Sequence, residues 1–281
     1  LFLLPEQDLG FFIAVNSLEF KFVADFANQF LDKYYPVPKS CFVPQRLPNC
    51  EQRLQYFIGY YRNQGNSQFT IQKISTLFSQ IRVAANEDSL LIPGFSQDEE
   101  SHQWVEVEPL LFQRIDDDRL LACRKDDQGS ITYLFMGIST FEKLHWYESS
   151  PFHFVILAFC VLIFLGSCII FLGLGMVNIS QSPDLLSLAI ASLNLIFIIS
   201  FVLASSHPNG LTYGVPTIII ILLTIPIITA ALTLGLIMFT LLGWNSQNWT
   251  LWQRLDYSLM SIASITFTFW LRYWNLLGFK F

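Results

Sequence analysis

Residues 152–176 read FHFVILAFCVLIFLGSCIIFLGLGM, with no Asp, Glu, Lys or Arg among them. A helix needs about 20 apolar residues to cross a bilayer. Three further stretches meet that requirement: 185–204 (LLSLAIASLNLIFIISFVLA), 216–242 (PTIIIILLTIPIITAALTLGLIMFTLL) and 257–278 (YSLMSIASITFTFWLRYWNLLG). Four such runs in succession, parted by short polar loops, predict a four-helix transmembrane region over 148–281 rather than the buried helices of a soluble core. Pro226 lies inside the third run and is expected to tilt or kink it. Composition agrees, with 53% of residues hydrophobic, 14% charged and a mean hydropathy of +0.45. An ordinary soluble domain is more charged.

Charge divides the chain in two. Residues 1–150 hold 13 Lys and Arg against 20 Asp and Glu, whereas 151–281 hold only Arg254, Arg272, Lys280, Asp184 and Asp256. The acidic half has no Lys/Arg cluster, which argues against nucleic acid or anionic lipid as its partner. The apolar half makes the lipid bilayer the first partner. Arg254, in GWNSQNWTLWQRLD between the third and fourth runs, places that loop in the cytoplasm by the positive-inside rule. An integral, multi-pass protein with residues 1–150 extracytoplasmic follows as the expectation. Trp146, Tyr147, Trp244, Trp249, Trp252 and Trp274 stand at the ends of the runs, where an interfacial aromatic belt belongs.

The polar half begins LFLLPEQDLGFFIAVNS, two apolar runs around a polar loop with Pro5 early and Gly10 late, the pattern of a β-hairpin. In SLEFKFVADFANQFLDKYYP the apolar residues Phe20, Val23, Ala24, Ala27, Phe30 and Leu31 recur at spacings of three and four. Ser17 suits the N-cap and Pro36 the stop, so an amphipathic helix of about 17 residues is expected. Two strands are marginal without partners, and the strands that would complete the sheet are expected upstream of Leu1. Residues 36–52, PVPKSCFVPQRLPNCEQ, read as a Pro-rich linker. Cys41 and Cys50 bracket part of it; they would close a disulfide in an oxidising compartment and remain two thiols otherwise.

From 53 to 147 short β-prone runs alternate with turns. Expected strands are 56–61, 69–74, 76–84, 89–91, 103–108, 110–115, 120–124 and 131–136, with DDDR and DDQG as turns. About eight strands in this length suggest a small all-β accessory barrel or sandwich.

The chemistry-bearing residues are sparse. Asp116, Asp117 and Asp118 lack the alternating ligands and later Glu of a calcium loop, so they read as a solvated turn. His102, His145, His153 and His207 are scattered without a Cys, Ser or carboxylate at motif spacing, and each reads as interfacial or exposed. No Cys/His metal spacing occurs. Cys160 and Cys168 read as packing residues within the first run, and Cys123 stands alone in an expected strand. Asn194 is expected to hydrogen-bond to a neighbouring helix, for example to a Thr of the third run. A small transporter is disfavoured because no ionisable residue falls at mid-membrane.

LFLLPEQDLGFFIAVNS followed by FANQFLDKYYP resembles the final strands and C-terminal helix of the β-lactamase-like serine hydrolases, the class-C-type family related to penicillin-binding proteins. YFIGYYRNQGNS, GISTFEKLHWYES and RYWNLLGFKF are similar to the accessory β-domain and last span of a membrane-anchored branch. The resemblance implies an acyl-enzyme mechanism with Ser and Lys in S-x-x-K, Tyr in Y-x-N, and an H-x-G or K-[ST]-G strand. The residues three before each Lys are Leu18, Phe30, Pro36, Thr70, Ala122, Thr140 and Leu277, so no S-x-x-K is present, and neither H-x-G nor K-[ST]-G occurs. Tyr61-Arg62-Asn63 and Tyr273-Trp274-Asn275 match Y-x-N, as chance allows in a chain with ten tyrosines.

The expectation is therefore a multi-domain chain: the last hairpin and helix of an α/β serine-hydrolase domain (1–35), the linker, the β-domain (53–147) and the membrane region. The catalytic centre would lie in a missing N-terminal domain, through which alone a small-molecule or peptide substrate is reached. No catalytic, cofactor or metal residue is assigned in this chain. The competing expectation is a non-catalytic multi-pass membrane protein whose β-domain binds a ligand or partner.

Overall fold

The structure is a computed structural model describing residues 1–16, 20–36, 44, 46–48, 50–94, 101–117, 119–173, 182–205, 214–246 and 249–281. It forms two compact units, Leu1–Val43 and Pro44–Phe281.

In the first unit, β1 (Phe2–Leu4) and β2 (Leu9–Phe11) pair antiparallel, with Phe2 opposite Phe11. A single 3-10 turn over Pro5–Gln7 joins them, closed by Asp8 at φ 48°. Helix α1 (Phe20–Tyr34) packs on the hairpin through an aromatic row: Phe2 stacks on Phe11 at 4.9 Å, Phe11 meets Phe30, and Phe30 meets Tyr34. Ser17, the expected N-cap, lies outside the described residues.

The second unit opens within the stretch expected to be linker. Pro44 is buried and the Leu47 amide donates to the Glu106 carbonyl at 2.9 Å, so this part of the segment belongs to the β-domain. Helix α2 (Cys50–Leu54) follows, and its Arg53 reaches the buried Glu106 carboxylate at 2.8 Å.

Eight strands then close into an antiparallel barrel: β3 (Gly59–Asn63), β4 (Ile81–Asn86), β5 (Ser89–Ile92), β6 (His102–Glu108), β7 (Leu111–Arg114), β8 (Leu120–Lys125), β9 (Ile131–Met136) and β10 (Ser139–Lys143). Each strand pairs with its neighbours in sequence, and β10 closes on β3 with Lys143 opposite Tyr61. Tyr61, Val83, Leu90, Trp104, Phe112, Leu121, Leu134 and Phe141 form its core with Leu54 and Phe57, as in small barrels whose interior is filled by side chains. Phe57 meets Phe112 edge-on at 4.9 Å.

Two expected strands are corrected. Residues 69–74 are not a strand, and the strand expected over 76–84 starts only at Ile81; a 3-10 helix, Ile71–Leu77, takes up most of the first and the start of the second. The physical reason is periodicity. Ile71, Ile74 and Leu77 recur every third residue, and three residues per turn bring them onto one face, where all three are buried. Strand β10 is not among the expected strands, the last of which ends at 136. Gly137 at φ 56° turns the chain at once from β9 into β10.

Beyond the barrel stand α3 (Ser150–Gly173), α4 (Ser182–Ser205), α5 (Thr217–Leu222), α6 (Thr224–Asn245) and α7 (Leu251–Tyr273). Among the described residues three spans, Ser150–Phe171, Asp184–Ser205 and Thr217–Asn245, are long and apolar enough to cross a membrane, and the expected fourth is not among them. The break between α5 and α6 follows from Pro226, whose ring crowds the carbonyl of Leu222 and which donates no N–H to it. The fourth run is displaced from its expected 257–278: α7 starts at Leu251 because Thr250 and Gln253 form a capping box. It thereby gains Arg254 and Asp256 beside Arg272.

The long helices make an antiparallel four-membered bundle, in which α3 packs on α4 and α7 while α6 packs on the same two. Pro226, Thr229, Thr233, Leu236, Thr240 and Gly243 form the buried face of α6, alternately three and four residues apart, the spacing of helices that interlock. Thr240 and Ser261 share a hydrogen bond of 2.9 Å between α6 and α7. Ser167 and Ser187 do the same between α3 and α4 at 3.3 Å.

At Gly243 the absence of a side chain is required. A Cβ there would lie 2.4 Å from ring carbons of Trp249, which packs on Tyr257 at 4.7 Å. Gly243→Ala is expected to destabilise the detergent-solubilised chain by about 1–3 kcal/mol in thermal unfolding. Gly235→Ala, whose Cβ would meet Leu186 at an ordinary 3.6 Å, is expected to leave stability unchanged or raise it.

Candidate functional site

A cleft of about 620 Å³ opens on the barrel wall. Its sides come from three places: Gln55 and Tyr56 after α2, the β8–β9 turn with Asp126, Gln128 and Ser130, and the end of β10 with Glu142, Lys143 and His145. The turn is rigid because the Asp126 carboxylate accepts the Gln128 and Ser130 amides at 3.0 and 2.8 Å, while Gly129 takes φ 83°.

Lys143 donates to the Tyr56 carbonyl at 2.6 Å, and burial holds its ammonium below the usual lysine range. Glu142 accepts from Arg62 at 2.8 Å and from Gln64. Tyr133 and the exposed Tyr56 add phenol rings, and the His145 ring stacks on Tyr147 at 5.3 Å. Amide, hydroxyl and imidazole groups beside aromatic faces suit the binding of a polar, hydrogen-bonding ligand.

A second polar cluster lies where barrel and bundle meet. Lys73, on the 3-10 helix, donates to the Tyr273 carbonyl at 2.9 Å and sits 3.8 Å from the centre of that ring. Burial, with help from Arg62 and Lys280, lowers its basicity, and Glu148 opposes the shift. The Tyr273 hydroxyl donates to Glu148 at 3.3 Å. His153, expected to be interfacial or exposed, is buried between the Tyr273 and Trp274 rings, at 4.7 and 4.8 Å. Three residues after Ser150, it lies inside the first turns of α3, where a neighbouring helix end covers it.

Both Y-x-N matches are structural. Tyr61 is fully buried, its hydroxyl donates to the Phe57 carbonyl at 2.6 Å, and burial raises its pKa strongly. Asn275 adopts φ 59°, a left-handed conformation Asn tolerates, and its amide donates to the Gln68 and Thr70 carbonyls, both at 3.0 Å.

The acidic turn is ion-paired. Asp116 stands 3.7 Å from His102 and 3.8 Å from Arg114, and Asp117 stands 3.3 Å from Arg114 and 3.1 Å from Arg119. Asp118, His207 and Cys41 lie outside the described residues, as does the side chain of Cys50. Asn194 is buried, but its side-chain oxygen finds no partner among the described residues, so the expected bond to a Thr is not formed through it. No group of three or more His, Cys, Asp or Glu able to hold a metal occurs among the described residues. The sequence reading did not single out Lys73, Lys143 or Tyr56; the one local signal was the three-residue period around Lys73.

Two outcomes follow. Asn275→Gly keeps the backbone freedom and removes these two hydrogen bonds and the one its Oδ1 accepts from Lys280 at 3.0 Å, at a cost of about 1–3 kcal/mol. Exchange of the Ile71 amide, which donates to the Lys280 carbonyl at 2.8 Å, is expected to quicken about tenfold by mass spectrometry.

The second concerns Cys123, whose thiol is pushed from 9.0 up to about 12 by burial and by the Glu106 charge. The unfolded chain loses this proton near pH 9 and the folded chain keeps it, so the group's stability is full below pH 9 and is lost as pH rises toward 12. Urea denaturation between pH 8.5 and 10.5 is expected to show a fall about 2 kcal/mol smaller in Cys123→Ala than in the parent chain.

Compared with known proteins, the chain matches no family model, no curated protein and no solved structure, so its function rests on the residues themselves.

Proposed function

We propose that this chain is the accessory and membrane-anchoring part of a β-lactamase-like serine hydrolase. The bundle is a four-span, multi-pass anchor, the barrel stands on the extracytoplasmic surface, and a catalytic domain preceding Leu1 supplies the nucleophile. The observation that carries the anchoring role is the junction: the 3-10 helix of the barrel is buried on the bundle and tied to the end of α7, which fits a module held at the membrane surface. α7 serves as the fourth span because it packs along α3 and α6 with Met260, Ser264, Phe267 and Leu271 buried, and because its charges stand near its ends.

Support for the hydrolase part comes from the resemblance of residues 1–35 and from their fold, a hairpin followed by a packed helix. That unit leaves Leu3, Phe12, Phe22 and Phe26 exposed, as elements of a larger α/β domain would.

The test is activity-based labelling in native membranes. After treatment with a fluorophosphonate, precipitation with an antibody to the barrel is expected to recover label on the same polypeptide, outside residues 1–281. No label in the precipitate, or label within 1–281, contradicts the proposal.

The barrel-wall cleft favours a second reading, a non-catalytic membrane protein that binds a polar ligand there. The reading frame ahead of Leu1 separates the two: S-x-x-K, Y-x-N and H-x-G in that order belong to the first alone.

A further inference from the structure

A groove of about 370 Å³ runs between the 3-10 helix Ile71–Leu77 and helices α3, α4 and α7. Its walls are apolar, with Leu157, Phe197, Phe201 and Phe267 among them, and Phe78 and Val202 at its lips are exposed. Two of the helices that build it, α3 and α4, are among those long and apolar enough to cross a membrane, so lipid is the solvent its open side meets.

Polarity within the groove is graded. Ser205 ends α4 and Trp270 lies one turn before the end of α7, both at the end nearest the barrel. Phe197 lies two turns deeper, about 12 Å down the helix. Trp270 is 8% exposed, and its indole N–H has no acceptor among the described residues. The Ser205 hydroxyl is also buried without a partner among them. A buried donor without an acceptor costs about 1–3 kcal/mol, so a ligand that brings an acceptor to this level is favoured. Apolar walls at depth with hydrogen-bond donors toward the membrane surface reproduce the profile of an esterified fatty acid in a leaflet.

We propose that this groove binds one acyl chain of a membrane glycerolipid, its hydrocarbon along Phe197 and Phe267 and its ester carbonyl accepting from Trp270 and Ser205. The site rests on the membrane reading above and adds a lipid-binding function to it. The bound chain fills the gap between barrel and bundle and makes the 3-10 helix one wall of a lipid site.

The full chain is reconstituted in phosphatidylcholine nanodiscs containing a trace of phosphatidylcholine with a diazirine-bearing acyl chain, irradiated, and mapped by peptide mass spectrometry. Cross-links on 197–205 and 267–276 are expected at least fivefold above those on the outward face of α6, marked by the exposed Leu234, Met238 and Leu241. Ser75→Phe fills the groove from an exposed lining position. It is expected to cut groove cross-links at least threefold and leave the α6 labels unchanged. Trp270→Phe keeps the ring, loses the donor, and is expected to reduce groove labelling about twofold or more.

Equal labelling of all outward helix faces, unaffected by Ser75→Phe, overturns the proposal and leaves the anchor reading intact. Release of the chain from native membranes by alkaline extraction overturns the membrane reading, and this proposal with it.

Discussion

Burial of three aliphatic side chains, Ile71, Ile74 and Leu77, on the helical bundle is the interaction on which the arrangement of the second unit depends. Each contributes roughly 2 kcal/mol on burial. Their common face exists only because the segment winds with three residues per turn; an α-helix would spread them and a strand would turn Ile74 away from Ile71 and Leu77. Hydrogen bonds hold both ends. At one end the Ile71 amide and the Asn275 side chain join residues 68–71 to the segment after α7. At the other, Ser150 donates its hydroxyl to the Leu77 carbonyl at 2.5 Å and its amide to Gln80 at 2.7 Å, while Gln80 reaches the Glu148 carbonyl. One connection between β3 and β4 thus grips the start of α3 and the end of α7 together.

The rest of the unit follows from that grip. With α3 leaving the barrel and α7 returning to it, α4 and α6 complete an antiparallel set whose far end is closed by polar contacts, Tyr257 to Asp184 and Arg254 to the Ser246 carbonyl. Between the ends the hydroxyls of Thr229, Thr233 and Thr240 turn back to carbonyls of their own helix. Self-satisfied hydroxyls of this kind are tolerated in an apolar medium, and they leave the α6 face narrow enough for close helix approach. The barrel, by contrast, is stabilised by its aromatic and aliphatic filling and needs no such device.

Features set by local pattern were legible in the sequence. The apolar runs named the helices because the signal spans some twenty residues, and Pro226 marked the break between α5 and α6. Most barrel strands were found from alternation and turn residues such as DDQG. The period-three run IQKISTL was misread as strand because β-branched residues raise strand propensity while tertiary burial decided the winding. The start of α7 was missed because its capping box lies among polar and aromatic residues that read as loop. The cleft was out of reach for a different reason. Lys143 and Tyr56 meet across the barrel seam from opposite ends of the β-domain, and nothing in either neighbourhood announces the other.

Held by that grip, barrel and bundle are expected to move as one body through the 3-10 helix. Pulsed electron resonance between spin labels at Ile138, fully exposed on the β9–β10 turn, and Met238, exposed on α6, measures this directly in nanodiscs. One narrow distance distribution is expected. A broad distribution, or two populations, would contradict it and would mean that the barrel swings on a flexible tether.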